Sequence, residues 1–391
     1  MITGSLSLIK ELNTSVILNT IKDNESISRA EIALLTGLTP ATVTNLTAKL
    51  LDKKLIKETT LGESSGGRKP VMLEINYGEY NTACVSISSN YVMISVFDLK
   101  GNLLSSVEIN PEDKSSEVVL DEICKELKNL ISASSKRVLG IGVSCEGMID
   151  VENGICVFSA NLGWENIHLK EKLFSELKIP VFVDNDVQII ALGEKWYGAA
   201  RDNNDFLLIY TGYGIGTAIM SGGKLYRGVN NYAGELGHTT LDPEGPVCSC
   251  GNRGCLQAFA SISALEREIK KKGSYQGESR GIDKLISDFN EGEPALTELF
   301  EKQAYYIGIA AANAINMFNP SEIIFNGYIT RLKGRIKDII SEQIKERCLK
   351  VSKSIKIIYS ELNKSAVYKG AAALVVENLF ANPSVFFGWE V

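Results

Sequence analysis

Residues 28–52 read SRAEIALLTGLTPATVTNLTAKLLD, and this stretch decides what the N-terminal part of the chain is. Ser28 followed three residues later by Glu31 forms a capping box, in which side chain and backbone satisfy each other's first-turn donors. A helix therefore opens here, carrying Ile32, Leu34 and Leu35, and Gly37 supplies the left-handed residue that stops it. Thr39 caps the next helix and Pro40 takes its first position, where a missing N–H costs nothing. That helix is expected over roughly Pro40–Asp52, with Val43, Leu46 and Leu50 facing inward. Upstream, Val16, Ile17, Leu18 and Ile21 recur on one face of a shorter helical pattern. Two capped helices about a three-residue turn make a helix-turn-helix. The outer face of the second helix offers Ala41, Thr42, Thr44, Asn45 and Lys49, which are small, hydrogen-bonding or basic. Such side chains suit base edges and phosphates in a major groove, and Arg29 and Thr39 join them as candidate DNA contacts.

Beyond Leu55-Ile56-Lys57, residues 61–76 read LGESSGGRKPVMLEIN: a strand, a Ser/Gly tip and a returning strand over Val71–Ile75. That is the wing of a winged helix. Gly66-Gly67-Arg68-Lys69-Pro70 is extended, narrow and basic, a shape that places Arg68, with Lys69 beside it, in a minor groove; a solvated linker is the alternative. The whole chain, with a formal charge of -6 over 391 residues, argues against a nucleic-acid binder on bulk charge. Residues 1–80 carry nine basic and nine acidic residues, so DNA affinity has to come from local placement. Hydrophobic residues at 45% and charged residues at 23% are ordinary for a globular chain and exclude disordered and collagen-like classes. No apolar run approaches membrane-span length, and no basic start precedes an apolar segment, so the expected location is cytoplasmic.

From Thr82 the pattern changes. ACVSISSN, YVMISVFDL and LLSSVEIN read as a strand meander, followed by a helix over about Ser116–Ser132 and the buried strand VLGIGVSC. VFVDN then precedes a helix through Trp196, and DFLLIYTG with GTAIMSG opens a second strand set near Asp205. Two successive blocks of alternating strands and helices predict a bilobal α/β architecture with a ligand cleft between the lobes. Asn185-Asp186 ends a strand and starts a helix, the strand edge where ligands sit in open α/β sheets. Five cysteines, Cys84, Cys124, Cys145, Cys156 and Cys348, are scattered in apolar surroundings and read as small buried hydrophobes. His168, at a helix start, reads as structural or solvent-facing. His238, Cys248, Cys250 and Cys255 are different: one imidazole and three thiolates fall within 18 residues, with Gly251 and Gly254 allowing tight turns between them. A complete tetrahedral set with no open position is a structural site, and thiolate softness favours zinc.

GELGH (Gly234–His238), C-x-C-G-x-x-G-C (Cys248–Cys255), VDND (Val183–Asp186) and ESSGGRKPV (Glu63–Val71) together resemble the ROK family of repressors, open reading frames and sugar kinases, over essentially the whole chain. The likeness is strongest to its repressor branch. It implies an N-terminal winged helix-turn-helix (residues 1–78) followed by an actin-like, hexokinase-like sugar-sensing domain (79–391) whose zinc loop spans 238–255. It also implies dimers or higher oligomers on double-stranded operator DNA, and a monosaccharide effector, xylose first, with glucose or N-acetylglucosamine behind it. By the same resemblance Gly147, Asn161, Asn185, Asp186, Glu235 and His238 are sugar contacts, Asp186 standing where kinase members hold a catalytic base. Gln257 stands where the family commonly has Glu, keeping an acceptor but losing a charge.

Kinase members open this domain with an Asp and paired glycines that hold magnesium and phosphates. The matching stretch here has Ser86, then Ser88 and Ser89, which removes the carboxylate anchor. The adenosine motif, several glycines in kinases, is reduced to Asn326-Gly327-Tyr328, with Tyr328 expected to obstruct close backbone approach. The reading is therefore a sugar-responsive repressor that is not an enzyme. The alternatives are a sugar kinase with an appended DNA-binding domain, or an activator or scaffold that keeps the sugar fold.

Overall fold

In the computed structural model, which describes residues 6–61, 69–273 and 281–388, Ser28 and Glu31 do form the reciprocal capping box. Glu31 Oε2 accepts the Ser28 N–H at 2.9 Å, and these Ser28 donors hold the Glu31 carboxyl below the ordinary glutamate range. A carboxyl held below its unfolded value adds stability at neutral pH and gives it up as the pH falls through its folded value. The N-terminal module comprises α1 (Leu6–Asp23), β1 (Ile27–Ser28), α2 (Arg29–Thr36), α3 (Pro40–Asp52), β2 (Ile56–Leu61) and β3 (Val71–Ile75). Gly37 sits at φ 69° with its N–H on Ala33 O, and Thr39 caps α3 through the Thr42 N–H. Val43, Leu46 and Leu50 are buried, as their spacing predicts. β3 pairs antiparallel with both β1 and β2 in a three-stranded wing sheet.

Two details differ from the sequence pattern. The first helix begins at Leu6, ten residues before Val16 opens the expected stripe, and its Leu8, Ile9 and Leu12 lie exposed and contribute no inward-facing signal. Val16, Leu34 and Leu35 are exposed too, whereas Ile17, Leu18, Ile21 and Ile32 form the module's core. A helix only has to bury a stripe, and the apolar count along it does not say how wide that stripe is.

By packing, the chain divides into two units, Met1–Asp184 with Ala371–Val391, and Asn185–Gly370. The first contains a five-stranded sheet from β4 (Asn81–Ile87), β5 (Val92–Asp98), β6 (Leu103–Ile109), β7 (Val138–Cys145) and β11 (Val181–Asn185), in the order β11-β7-β4-β5-β6. Between β7 and β11 lie a small antiparallel sheet, β8 (Met148–Asp150), β9 (Ile155–Ser159) and β10 (Trp164–Ile167), and the helix α5 (Leu169–Leu177). Every residue of β4 and β7 is buried, the continuous apolar reading expected of central strands covered on both faces. α4 (Ser116–Ala133) covers one face with Val119, Leu120, Ile123 and Leu127. His168 precedes α5 and makes no side-chain cap there.

The second unit runs through α6 (Asp186–Tyr197), β12 (Phe206–Thr211), β13 (Ile215–Ser221), β14 (Lys224–Leu225), α7 (Leu256–Ala260), α8 (Ile262–Lys272), α9 (Gly281–Asn290), α10 (Pro294–Phe318), β15 (Glu322–Gly327), α11 (Ile336–Arg347) and β16 (Lys356–Tyr359). Its sheet order is β14-β13-β12-β15-β16. In each unit the first strand lies mid-sheet, antiparallel to the second and parallel to the fourth, and the third strand pairs with the second. One sheet plan is thus built twice.

α12 (Ser365–Ala381) and α13 (Ser384–Phe387) close the chain. The C-terminal end of α12 returns to the N-terminal module: Ser15 Oγ donates to Phe380 O at 2.7 Å and Asn19 Nδ2 to the same oxygen at 3.2 Å. Tyr80 OH reaches back to Lys53 O at 2.6 Å while its ring meets Phe387 edge-on at 5.7 Å. Carbonyls left over at a helix end need such partners. Against the sheet, α12 crosses β7 at Gly142, where an added Cβ would overlap the Ala371 carbonyl. Gly142→Ala is therefore expected to destabilise the protein by about 3 kcal/mol, the upper range for overpacking a core, because backbone rather than a flexible side chain has to move. Urea unfolding checks this; an unchanged midpoint would show that strand and helix separate freely.

Candidate functional site

On α3 the exposed positions are Pro40, Ala41, Thr44, Asn45, Ala48, Lys49 and Asp52, with Thr42 half-buried. This is one continuous i, i+3, i+4 stripe, and Ala48 belongs to it although the sequence reading passed over it. Thr44 Oγ1 donates to Pro40 O at 2.8 Å, and Thr39 and Thr42 hydroxyls lie 2.9 Å apart at the helix start, so these threonines are ordered by their own helix. Lys10 of α1 stands against Lys49, and that neighbour, with partial burial, holds the Lys49 ammonium below the ordinary lysine range. Two adjacent ammonium groups make a doublet suited to a phosphate, and Lys10 is a candidate contact that no sequence spacing links to α3.

Other expected cations are engaged inside the module. Arg29 donates from Nε to Thr47 Oγ1 at 3.1 Å and pairs with Glu58 at 2.8 Å, bracing α2 against α3 and β2. Lys53, Lys54 and Lys57 each lie beside a carboxylate, of Asp52, Glu79 and Glu74 respectively. Lys69 is exposed at the start of the returning wing strand, and Arg68 lies outside the described residues.

In the second unit, His238, Cys248, Cys250 and Cys255 converge, with all four ligand atoms within 4.8 Å of one another. Cys250 Sγ and Cys255 Sγ are 3.8 Å apart, as are His238 Nδ1 and Cys248 Sγ. Tetrahedral zinc with bonds of about 2.3 Å to sulfur needs sulfurs about 3.8 Å apart, so the donor set fits a metal ion. The turns that achieve this rest on Gly251 at φ 91° and on Gly254 at φ 70°, where a side chain would overlap the Asp242 carbonyl. The Asn252 backbone N–H draws the Cys250 thiol down, whereas burial pushes Cys255 up to about 12. The five scattered cysteines are buried, as their surroundings predict.

The expected sugar residues of the second unit take distinct places. Asn185 caps α6, its Oδ1 accepting the Val187 N–H at 2.9 Å and the Gln188 N–H at 3.4 Å. Asp186 is the first residue of that helix, where the positive end of the helix dipole favours a carboxylate. Gln188 Nε2 donates to Ala233 O at 3.4 Å, and Thr217 N–H to Gly234 O at 3.0 Å, which ties the loop bearing Glu235 to α6 and β13. Glu235 Oε2 lies 3.9 Å from His238 Nε2, so the imidazole faces a cysteine with one nitrogen and this carboxylate with the other. Gln257 bridges the glycine turn and the cysteine loop: its Oε1 accepts the Ile215 N–H at 3.2 Å and its Nε2 donates to Ser249 Oγ at 3.3 Å.

In the first unit Gly147, at φ 121°, is pressed against Phe158 O and Ser159 so closely that a side chain would clash. Asn161 Nδ2 donates to Glu146 Oε1, and Glu146 Oε2 accepts the Ser89 N–H at 3.2 Å. Glu146 escaped the sequence reading; its signal is an acidic residue closing an apolar strand directly before a glycine. Ser86 is buried, and Ser88 Oγ donates to Tyr91 O at 2.9 Å. Tyr328 is packed rather than exposed. Its ring is buried in the second unit's core, with the hydroxyl 2.8 Å from Ala260 O and 3.0 Å from Gln303 Oε1. A phenol inside a core has to find such partners.

A winged helix-turn-helix ahead of two α/β units sharing one sheet plan defines the class: a DNA-binding module on an actin-like, hexokinase-like domain. Residues 13–57 match the winged helix-turn-helix DNA-binding family, and residues 82–378 match the ROK family. The chain belongs to the ROK family. It is 33% identical to the xylose repressor of Caldicellulosiruptor bescii, over 97% of this chain and 99% of that one. Among solved structures it resembles a ROK family transcriptional regulator, a homologue of the Escherichia coli MLC protein, with a TM-score of 0.86 at 29% identity over 95% and 97% of the two chains. It also resembles a ROK hexokinase from Thermus thermophilus, with a TM-score of 0.67 at 27% identity over 76% of this chain and 99% of that one. Among the described residues no helix is long and apolar enough to cross a membrane.

Proposed function

We propose that this protein is a sugar-responsive transcriptional repressor: α3 and the wing hold operator DNA, and a monosaccharide bound by the ROK domain changes that affinity. The observation that carries this reading is the presence, in one chain, of a recognition helix with an exposed polar and basic stripe and of the ordered Asn185, Asp186 and Glu235 set. Asn161, Asn185, Asp186, Glu235 and Gln257, with the Gly147 backbone, are the proposed sugar contacts, and His238 acts on them through Glu235. Amides and carboxylates donate to and accept from vicinal hydroxyls, and leaving such groups unpaired is costly, so a set of this kind discriminates among sugars. Similarity to a xylose repressor makes D-xylose the first effector to test.

The proposed metal is zinc on His238, Cys248, Cys250 and Cys255, serving only to stiffen the loop that carries Glu235. Phosphoryl transfer is not part of this reading: Ser86 cannot replace a magnesium-binding carboxylate, and Asp186 then binds sugar without transferring a group to it. A homodimer presenting two recognition helices to paired half-sites, acting in the cytoplasm, completes the proposal, with residues 1–78 as its DNA-binding part and 79–391 as its sugar-sensing part.

A thermal-shift panel of monosaccharides tests the effector. D-xylose at 100 times its dissociation constant adds about 2.7 kcal/mol to apparent stability and raises the melting temperature by a few degrees. Linkage supplies the second arm: operator DNA has to change D-xylose affinity by the same factor by which D-xylose changes operator affinity. Equal sugar affinity with and without operator in calorimetry would sink the coupling, and ATP-dependent phosphorylation of any sugar would overturn the non-enzymatic reading.

A further inference from the structure

We propose that Glu146 makes the sugar site selective for an uncharged sugar and against the corresponding phosphate ester. This rests on the reading that the loops around Gly147 and Asn161 contact sugar, and it adds to that reading the charge class of the effector. The carboxylate stands at the junction of three loops of the first unit. Its Oε1 accepts from Asn161 Nδ2, its Oε2 accepts the Ser89 N–H at 3.2 Å, and its own N–H donates to Ile87 O at 3.2 Å. The next residue, Gly147, has no room for even a Cβ beside Phe158 and Ser159, so the backbone that carries Glu146 is pinned.

Charge follows from this geometry. A turn N–H such as that of Ser89 is the kind of donor an anion uses, and here it already faces a carboxylate. Ser88–Tyr91, Cys145–Met148 and Ser159–Trp164 contain no Lys, Arg or His to offset that charge, and among the described residues Glu146 makes no ion pair. An ionised carboxylate has about four acceptor directions. Two are taken by protein donors, and those remaining suit O–H donors of a polyol. A phosphate ester, largely dianionic near pH 7, brings like charge to this carboxylate, and the three loops around it supply no cation to offset it. The carboxylate also fixes Asn161: an amide facing it presents its NH2, which leaves the Asn161 carbonyl to accept from a sugar hydroxyl.

Isothermal titration of the full chain with D-xylose and α-D-xylose 1-phosphate, and with D-glucose and D-glucose 6-phosphate, tests this on wild type and Glu146→Gln. The expected wild-type result is one sugar bound at least tenfold more tightly than its ester. Glu146→Gln keeps an acceptor for the Ser89 N–H and removes the charge, so it narrows that ratio about tenfold, chiefly by a gain for the ester. Raising the salt concentration narrows the wild-type ratio in the same direction without any substitution, which keeps the test decisive if the variant folds poorly. A wild type that binds ester as tightly as sugar, or a ratio indifferent to both Glu146→Gln and salt, overturns the proposal while leaving sugar sensing intact. Binding of neither member of either pair removes the sugar-site reading, and this inference with it.

Discussion

Replacing Cys255 by Ala is expected to reduce bound zinc from about one ion per chain to none and to abolish high-affinity sugar binding. Cys255 is buried, and its thiol is pushed up to about 12 by that burial, so at neutral pH a metal ion has to displace its proton. Structural zinc sites are worth about 10–16 kcal/mol of binding free energy in small peptide folds, which is ample to decide whether residues 238–255 hold one conformation. The loop's turns are held by glycines, by the isolated bridges of Thr240 with Cys255 and Val247 with Arg253, and by backbone hydrogen bonds such as Cys248 N–H to Asn252 O at 2.8 Å, and a metal ion would add the tie among the four side chains that these do not supply. Once it loosens, His238 no longer faces Glu235, and a sugar contact loses its support. Elemental analysis and calorimetry on the same preparation check both parts. Because ligation releases protons, zinc retention should also fall as the pH is lowered. Unchanged zinc content and sugar affinity in Cys255→Ala would refute the metal site.

On the DNA side, Asn45→Ala is expected to weaken operator binding by about 10- to 100-fold, the scale of a lost base-edge contact of about 1–3 kcal/mol. Lys49→Ala, and equally Lys10→Ala, should weaken binding across sequences and lower the slope of log affinity against log salt by about one, the mark of a phosphate contact. Sugar affinity should stay the same in all three variants, since these side chains lie on the N-terminal module. Binding assays at several salt concentrations distinguish the two behaviours. A Lys10 variant with unaltered operator affinity would restrict the contact surface to α3 and the wing, and an unaltered Asn45 variant would remove α3 as the reading element.

The N-terminal module was legible because its signals are local. A capping box, a left-handed Gly37 and a proline after Thr39 each act within four residues, and α3 occupies Pro40–Asp52 as they predict. The metal cluster was legible for the same reason, three cysteines and a histidine being close along the chain. Glu146 and Lys10 were not. Glu146 acquires its meaning from Asn161, fifteen residues on, and from Ser89, fifty-seven residues back, and Lys10 from Lys49 on another helix. The partners of the Tyr328 hydroxyl, Ala260 and Gln303, were not legible either, because a sequence shows the size of a ring but not which way it turns.

Sequence alone determined the caps of α2 and α3 and the gathering of His238, Cys248, Cys250 and Cys255 within 18 residues, all properties of neighbouring residues or of residue type. Only the tertiary structure decided that α12 ends against Ser15 and Asn19 of the first helix, more than 360 residues away along the chain. It alone decided that Arg29 braces the module and that Asn161 is held by a carboxylate. The physical reason is that capping and ligation at close spacing are fixed by backbone geometry over a few residues, whereas the partner of a buried polar or charged group is set by packing between elements remote in sequence.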